Sequence, residues 1–447
     1  MRAGRSFAVV LGIALLTAAS AAETPSPLRP IQFTDTRLAN GLRVIISEDH
    51  FAPVYAIAVT YGVGSKDERP GRTGFAHLFE HMMFKGSDNV GAGEHFFLVF
   101  NYGGSMNGTT NTDRTLYFEV MPRNQLDLGL FLESDRMRSL AITKENLDNQ
   151  KNAVQEERRL GVDNVPYGKS SDTLPRLAYQ NFAYAHSVIG SMDDLSAATV
   201  EDVAAFFKMY YAPNNAVIAI VGDVDASTVV DKVKKYFGAI PRQPAPPAVD
   251  MSEPAPTAER RVSLEDQLAR LPRLDIAYKV PESGSADFDA LDVLSTILSG
   301  GRSARFYEDI VRQKQLASNA NAFLFESRGP SLFQISATPN PSASLTDLEA
   351  ALNEELERIK TGTISNEELE KARAAAQRQF VSTMGSSLGR AINLSQSAIF
   401  YNDPGRFATA PERIAKVTAA DVQRVASKYF TPANRTVVVT TPKGVRP

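Results

Sequence analysis

Two histidines and a glutamate lie close together in residues 77–81, within an otherwise apolar segment. His77 and His81 are four residues apart, so on a helix their side chains lie one turn apart, with Glu80 beside them. Two histidines at this spacing can ligate one zinc ion and leave the glutamate to take a proton from water. The segment therefore predicts a metal centre with Glu80 as general base. Two core histidines bonded to backbone are the alternative.

A metal held by two histidines of one helix needs a third protein ligand from another element. The chain contains no cysteine, which favours an open catalytic site over a closed structural one. Residues 143–160 predict a helix, because Thr143 can cap it and the segment contains no glycine or proline. Spacing alone does not separate Glu156 from Glu157 near its end. We expect Glu157 to be the ligand, and a solvated helix face is the alternative for either residue.

The spacing of these residues resembles the pitrilysin-type (M16) inverzincin zinc peptidases, among them the short two-domain bacterial members related to mitochondrial processing peptidase. In that family a His-x-x-Glu-His motif is followed some 76 residues later by a glutamate, and Glu157 stands at that distance from His81. The resemblance implies that His77, His81 and Glu157 hold one Zn²⁺ per chain and that Glu80 is the base. Further matching segments are spread across the mature chain: residues 84–87, 103–107, 165–168 and 211–215.

The resemblance also assigns three positions outside the metal motif. Asn107 matches an asparagine near the scissile bond, and Arg312 matches an arginine that holds substrate. Gln150 replaces a supporting glutamate seven residues before Glu157, so it can hydrogen-bond but cannot act as an acid or base. The tyrosine that the family places seven residues after Arg312 is absent. A turn-capping role for Asn107 and a surface charge for Arg312 are the competing interpretations.

Composition limits the remaining possibilities. With 447 residues, of which 43% are hydrophobic, the chain is long enough for two or more buried cores. Its 48 basic and 51 acidic residues leave a formal charge of −3, and we expect no nucleic-acid partner. Without cysteine it forms no disulfides and tolerates an oxidising compartment. No stretch beyond the N-terminus approaches the ~20 apolar residues of a membrane span.

The N-terminus has the pattern of a secretory signal peptide. Arg2 and Arg5 precede an apolar stretch at residues 7–16, and small residues follow. This pattern predicts a signal peptide at residues 1–22, cleaved after Ala21 or Ala22, and a periplasmic or secreted product. A mitochondrial presequence is the competing interpretation.

The chain contains an internal repeat with a constant offset of 219 residues, which predicts one fold duplicated. The repeat matches Asp202, Tyr210, Pro213 and Asn215 with Asp421, Tyr429, Pro432 and Asn434. Between the copies lies a proline-rich linker at residues 241–260. We therefore expect a zinc-binding catalytic domain at residues 23–240 and a second homologous domain at 261–447. The second domain lacks the metal site, because leucines and a serine align with the three motif residues.

Each half predicts a mixture of strands and helices. Asn40-Gly41 joins two strand patterns in a hairpin, and residues 116–121 predict an edge strand to which an extended peptide could add. Further predicted elements are strands at 56–61 and 216–221 and helices at 126–137 and 200–210. The fold class is therefore α+β, with two homologous α/β sandwich domains. Each has a mainly antiparallel sheet with helices on one face, and the resemblance implies half of, or a whole, clamshell chamber.

The predicted function is that of a zinc-dependent endopeptidase acting on peptides or unfolded segments. We expect a homodimer, or a heterodimer with a related family subunit. The incomplete arginine–tyrosine pair leaves open a catalytic subunit that is active only with a partner chain. Two competing functions for the same motif are a non-catalytic peptide-binding member of the family and a different metal-dependent hydrolase.

Overall fold

The computed structural model describes residues 31–444, so the predicted signal peptide lies outside the described residues. The first half contains six strands: β1 (Thr34–Arg37), β2 (Arg43–Glu48), β3 (Val54–Tyr61), β4 (Ser105–Thr110), β5 (Thr115–Pro122) and β6 (Ala216–Gly222). The second half contains five: β7 (Arg260–Asp266), β8 (Arg273–Val280), β9 (Ala317–Phe325), β10 (Ser331–Pro339) and β11 (Arg435–Pro442).

Helices connect these strands in both halves. Those of the first half are α1 (Phe75–Met82), α2 (Glu94–Asn101), α3 (Leu126–Ser139), α4 (Lys144–Arg158), α5 (Gly168–Ala178), α6 (Met192–Ala197), α7 (Val200–Tyr210) and α8 (Ala226–Phe237). Those of the second half are α9 (Ala286–Ser299), α10 (Leu345–Thr361), α11 (Asn366–Met384), α12 (Ser387–Tyr401), α13 (Ala410–Ala415) and α14 (Ala419–Tyr429). Two π-helical segments, Arg159–Asp163 and Phe306–Gln313, and several short 3₁₀ turns complete the described elements.

The two sheets repeat one topology. The first has the strand order β1-β2-β6-β3-β5-β4, and the second has the order β7-β11-β8-β10-β9. Without β1, the two orders correspond strand for strand, including one parallel pair in each sheet, β2–β6 and β7–β11. The remaining pairings are antiparallel. The predicted α+β fold with two homologous, mainly antiparallel domains is therefore confirmed.

The sequence repeat has a structural cause that is visible in both copies. The Asn215 side chain donates a hydrogen bond from Nδ2 to the carbonyl oxygen of Tyr210 at 2.9 Å. Asn434 makes the same bond to Tyr429 at 2.8 Å. In each copy this bond fixes the tight turn between a helix, α7 or α14, and the buried strand that follows it. The repeated residues are therefore those that direct a helix into the middle of a sheet.

Each sheet carries helices of its own half on one face and a helix of the other half on the opposite face. Alternate residues of β3 and β6 point to opposite sides, as the pleat of a strand requires. Ile57 and Ile220 pack against α1, α3 and α8, whereas Ala58 and Ala219 pack beneath Leu394 of α12. Conversely, α5 packs against β8 and β11 of the second sheet. The sequence predicted the helices that each half packs on its own sheet, but not the helix that each half packs on the sheet of the other.

Buried polar contacts also join the two halves. The Asp113 carboxylate accepts hydrogen bonds from the backbone N–H of Arg328 at 3.0 Å and from the Tyr184 hydroxyl at 2.9 Å. The Thr60 hydroxyl donates to Ser395 at 2.7 Å. From Gln32 onward the chain forms one compact unit. Within the described residues, no helix is both long and apolar enough to cross a membrane.

The predicted edge strand at residues 116–121 is wrong in one respect. These residues lie in β5, which pairs with β3 on one side and with β4 on the other. The edge strand is β4, whose polar sequence is interrupted by Gly108, contains no aromatic residue and has β-branched residues only at its end, Thr109 and Thr110. β4 forms because β5 offers it a complete row of backbone partners, which is information that a local pattern does not contain.

Candidate metal centre

The helix that carries both histidines, α1, begins at a glycine held by a buried glutamate. Gly74 has φ of 87°, a left-handed conformation that glycine adopts without strain. The Glu68 carboxylate accepts hydrogen bonds from the backbone N–H groups of Gly74 and Ala76, both at 2.8 Å. A carboxylate at this end also complements the helix dipole. His186 Nε2 lies 3.0 Å from Glu68 and holds it in turn.

Glu157 of α4 lies beside the two histidines of α1. His77 and His81 have ring centroids 4.9 Å apart. Glu157 Oε1 lies 3.6 Å from His77 Nε2, and Glu157 Oε2 lies 3.2 Å from His81 Nε2. The helix that carries Glu157, α4, starts at Thr143, whose side chain accepts the backbone N–H of Asn146. The structure thus brings together the three predicted ligand side chains from two elements that are far apart in sequence.

Of the two neighbouring glutamates, only Glu157 faces the histidines. Glu156 is exposed and accepts a hydrogen bond from Arg159 Nη1 at 2.9 Å. The helical step of about 100° between successive residues separates their directions. This difference resolves the ambiguity that spacing alone left open, and it follows from the side of α4 that packs on α1.

The three side chains fit a zinc ion by distance and by donor type. Their ligand atoms all lie within 4.8 Å of one another. Ligands at about 2.1 Å around a tetrahedral zinc lie about 3.4 Å from each other, and the measured 3.2 and 3.6 Å lie on either side of that value. Two imidazole nitrogens and one carboxylate are the donor set of open catalytic zinc sites. The group therefore fits a catalytic zinc better than a closed structural one.

The protonation states of these ligands also suit metal binding. Burial, with a smaller contribution from the neighbouring His81, lowers the pKa of His77 to about 4. The hydrogen bond with His81 and the charges of both histidines hold the pKa of the Glu157 carboxyl below its ordinary value. A metal ligand must present a neutral imidazole or an ionised carboxylate. His77 and Glu157 are therefore in their binding forms near neutral pH.

Glu80 lies beside the three ligands and is bound to the edge strand. Its Oε2 accepts a hydrogen bond from the Thr110 hydroxyl at 2.6 Å. Burial raises the pKa of the Glu80 carboxyl, while Thr110, His81 and Arg114 act in the opposite direction. A carboxyl whose pKa is raised toward neutrality is a better proton acceptor for catalysis than an ordinary exposed glutamate.

Glu80 and the three predicted ligands line one cleft, which has a volume of about 420 Å³. Asn107 and Gln150 also line it. Asn107 lies on β4, is exposed, and accepts the backbone N–H of Gly108 on its own side-chain oxygen at 2.9 Å. Gln150 is buried on α4 and donates to Asn149. Both predicted residues therefore lie within reach of a molecule in the cleft.

Arg312 is not among the described residues that line this cleft. It lies in the π-helical segment Phe306–Gln313, is 61% exposed, and forms an ion pair with Glu308 one turn earlier. The structure gives it the contacts of a surface charge. Its predicted contact with substrate stays a prediction.

A second cavity, of about 570 Å³, lies on the other side of Glu157. Its walls come from both halves: His186 and Tyr184 from the first, and Phe325 and Gln334 from the second. The predicted ligand Glu157 borders both this cavity and the cleft of Glu80. The second half therefore contributes a wall close to the metal centre, although it carries no motif of its own.

Another group of potential metal ligands lies in the core of the first half. His95, Glu119 and Glu133 are fully buried with ligand atoms within 4.8 Å of one another. Arg136 forms an ion pair with Glu133 and lies 4.5 Å from the Tyr117 ring centroid. A buried arginine already supplies positive charge there, so the group is a buried polar network. The sequence did not predict it, because its members come from three elements.

Two family models match the chain, and relatives cover nearly all of it. The model described as Insulinase (Peptidase family M16) matches residues 43–191, and that described as Peptidase M16 inactive domain matches residues 197–376. The zinc protease PqqE of Helicobacter pylori is 32% identical over 408 residues, 91% of this chain and 92% of that protein. A protease structure from Helicobacter pylori superimposes with a TM-score of 0.88 at 31% identity and covers 92% of this chain and 100% of that one.

The chain also resembles one half of a larger protease in its fold. The periplasmic protease PqqL from Escherichia coli has a TM-score of 0.75 at 18% identity, and the match covers 92% of this chain but 48% of that one. At this identity the likeness shows the fold alone, which is that of a two-domain clamshell half. The matches to the two family models and to the zinc protease of Helicobacter pylori establish that the chain belongs to peptidase family M16.

Proposed function

We propose that the chain is a zinc-dependent endopeptidase that hydrolyses peptides or unfolded protein segments. The observation that carries the proposal is the cleft in which Glu80 lies beside His77, His81 and Glu157. The names of relatives as zinc proteases support it. In this proposal residues 23–240 form the catalytic domain and bind one Zn²⁺ per chain. Residues 261–447 form the second domain, and 241–260 link the two.

The mechanism assigns each side chain a task in hydrolysis. A Zn²⁺ held by His77, His81 and Glu157 would supply Lewis acidity, which lowers the pKa of water and polarises a peptide carbonyl. Glu80 takes the proton from the attacking water and holds it on its carboxyl group. Glu80 then gives that proton to the nitrogen of the leaving amine. The Thr110 hydroxyl orients the Glu80 carboxylate during both transfers.

The edge strand β4 is the proposed binding surface for substrate. No strand of the described residues pairs with its outer side, to which an extended peptide can add by main-chain hydrogen bonds. Asn107 lies on this strand beside the cleft. Main-chain pairing tolerates many side chains but requires an extended segment, which a folded domain does not offer. We therefore propose peptides and unfolded segments as substrates.

The assembly and location of the chain are also part of the proposal. The chain corresponds to half of the larger protease PqqL, which is periplasmic, so a second chain would complete an equivalent chamber. We propose a homodimer, or a heterodimer with a related subunit, in the periplasm or outside the cell. The exposed Arg312 favours the variant of this proposal in which a partner chain supplies the substrate-holding charge.

The test is cleavage of a mixed peptide library by the purified protein, with and without a chelator, and with zinc measured on the same sample. The expected result is cleavage that the chelator abolishes and about one zinc per chain. Zinc without cleavage would exclude a self-sufficient enzyme and point to a required partner subunit or a peptide-binding role. Ester hydrolysis without peptide cleavage would indicate a different hydrolase. Absence of zinc would overturn the assignment of the three ligands.

A further inference from the structure

The two oxygens of the Glu80 carboxylate have different surroundings. Oε2 accepts the hydrogen bond from Thr110 Oγ1 at 2.6 Å, a short distance typical of a hydroxyl bound to a charged acceptor. Oε1 has no protein hydrogen-bond donor among the described residues. The same carboxylate therefore presents one oxygen that is held and one that is free.

Gly108 gives the Glu80 side chain room to lie against β4. A Cβ atom at Gly108 would come within 2.8 Å of Glu80 Cγ and within 3.4 Å of its Oε1. Gly108 and Thr110 are two residues apart on the strand and so lie on the same face, toward α1. The Glu80 side chain therefore packs against the backbone of Gly108 while its carboxylate is bound by the Thr110 hydroxyl.

The end of β4 that carries Thr110 is itself fixed. Arg114 Nη1 donates hydrogen bonds to the carbonyl and hydroxyl oxygens of Thr109, at 2.7 and 2.6 Å. Arg114 Nε donates to Gln396 of α12 at 3.2 Å. The strand is therefore clamped between its own hairpin and a helix of the second half. This clamp restricts the movement of the Thr110 hydroxyl relative to α1.

We propose that Thr110 is a positioning residue for the hydrolytic reaction. Its hydroxyl holds Oε2, so that Oε1 is the oxygen that receives the proton from water and returns it to the leaving amine. No bond to Thr110 forms or breaks, and the hydroxyl keeps its own proton throughout. This inference rests on the proposed endopeptidase function, in which Glu80 is the general base.

The size of the effect follows from the bond that is lost. A hydrogen bond to a charged group corresponds to a change of about 10- to 100-fold in a rate that depends on it. Removal of the hydroxyl lets the carboxylate rotate, so fewer encounters have Oε1 directed at water. The loss falls on kcat, because the Thr110 side chain contacts the base, and its replacement leaves the backbone of β4 in place.

The test compares three variants of the full chain on one cleavable peptide. Thr110→Val has nearly the same shape without the hydroxyl, Thr110→Ser retains it, and Thr36→Val removes an exposed threonine at the opposite edge of the same sheet. For Thr110→Val we expect kcat to fall about 10- to 100-fold, with KM and zinc content unchanged. Thr110→Ser should recover most of the rate, and Thr36→Val should match the parent.

Two results would overturn the inference while leaving the peptidase function in place. One is a Thr110→Val enzyme with kcat within twofold of the parent. The second is a loss of zinc or of folding in Thr110→Val that accounts for all of its lost activity, since the role would then be structural. A parent chain that cleaves no peptide, alone or with a partner, would refute the proposed function itself and this inference with it.

Discussion

Replacement of Glu80 by glutamine removes the proposed proton acceptor and leaves the rest of the cleft in place. Glutamine has the size of glutamate, and its amide oxygen can still accept the hydrogen bond from Thr110. Burial raises the pKa of the Glu80 carboxyl, so a neutral side chain of the same size is not expected to reduce the stability of the fold. The three proposed zinc ligands are untouched. The change is therefore expected to act on the reaction alone.

General base catalysis typically contributes about 10² to 10⁴ in rate, or about 2.7 to 5.4 kcal/mol of transition-state stabilisation. We expect Glu80→Gln to lower kcat by that factor, with KM, zinc content and melting temperature unchanged. The assay is steady-state cleavage of a quenched fluorescent peptide, with zinc determined on each sample. The matched control is Glu156→Gln, a glutamate that bonds Arg159 at the surface. Cleavage by Glu80→Gln within tenfold of the parent, with zinc bound, would refute Glu80 as the base.

Three further predictions concern the metal, the buried network and the contact between the halves. Glu157→Gln should lower zinc affinity by more than about 100-fold in a zinc titration, whereas Glu156→Gln should leave it unchanged. Burial, together with the charge of Glu133, raises the pKa of Glu119 to about 8 from 4.5, so the folded protein holds a proton that the unfolded chain releases. Stability should therefore fall as pH rises from about 5 to 8, and urea unfolding of Glu119→Gln should show a smaller fall; equal slopes would contradict it. Leu394→Ala, at a fully buried site between α12 and the first sheet, should cost about 2.7 to 5.0 kcal/mol and shift a single unfolding transition. Two separate transitions, of which one moves, would contradict the single compact unit.

The features that the sequence predicted well depend on residues close together in the chain. The hairpin around Asn40-Gly41 is present as β1 and β2, and α4 begins at the capping residue Thr143. Helix α7 has the predicted bounds 200–210. These elements follow from turn chemistry, capping and apolar periodicity, each of which acts within about one or two turns of chain. The internal repeat likewise indicated the duplicated fold.

The features that the sequence missed depend on contacts between distant segments. The edge position belongs to β4 because β5 has partners on both sides, and no local pattern distinguishes those outcomes. Glu68 caps α1, and His186, which lies more than 100 residues later in the chain, holds it. Neither residue belongs to a motif. Arg312 matched a family position, yet its side chain pairs with Glu308 at the surface.

The sequence by itself determined the chemistry: two histidines one turn apart, a glutamate between them and a second helix with a glutamate at the required distance. Tertiary structure decided which of Glu156 and Glu157 meets the histidines, because the packing of α4 on α1 selects one face of the helix. It also decided that the Glu80 carboxylate is held by Thr110 of an edge strand. Side-chain type is written in the sequence, but the direction of each side chain depends on the elements packed around it.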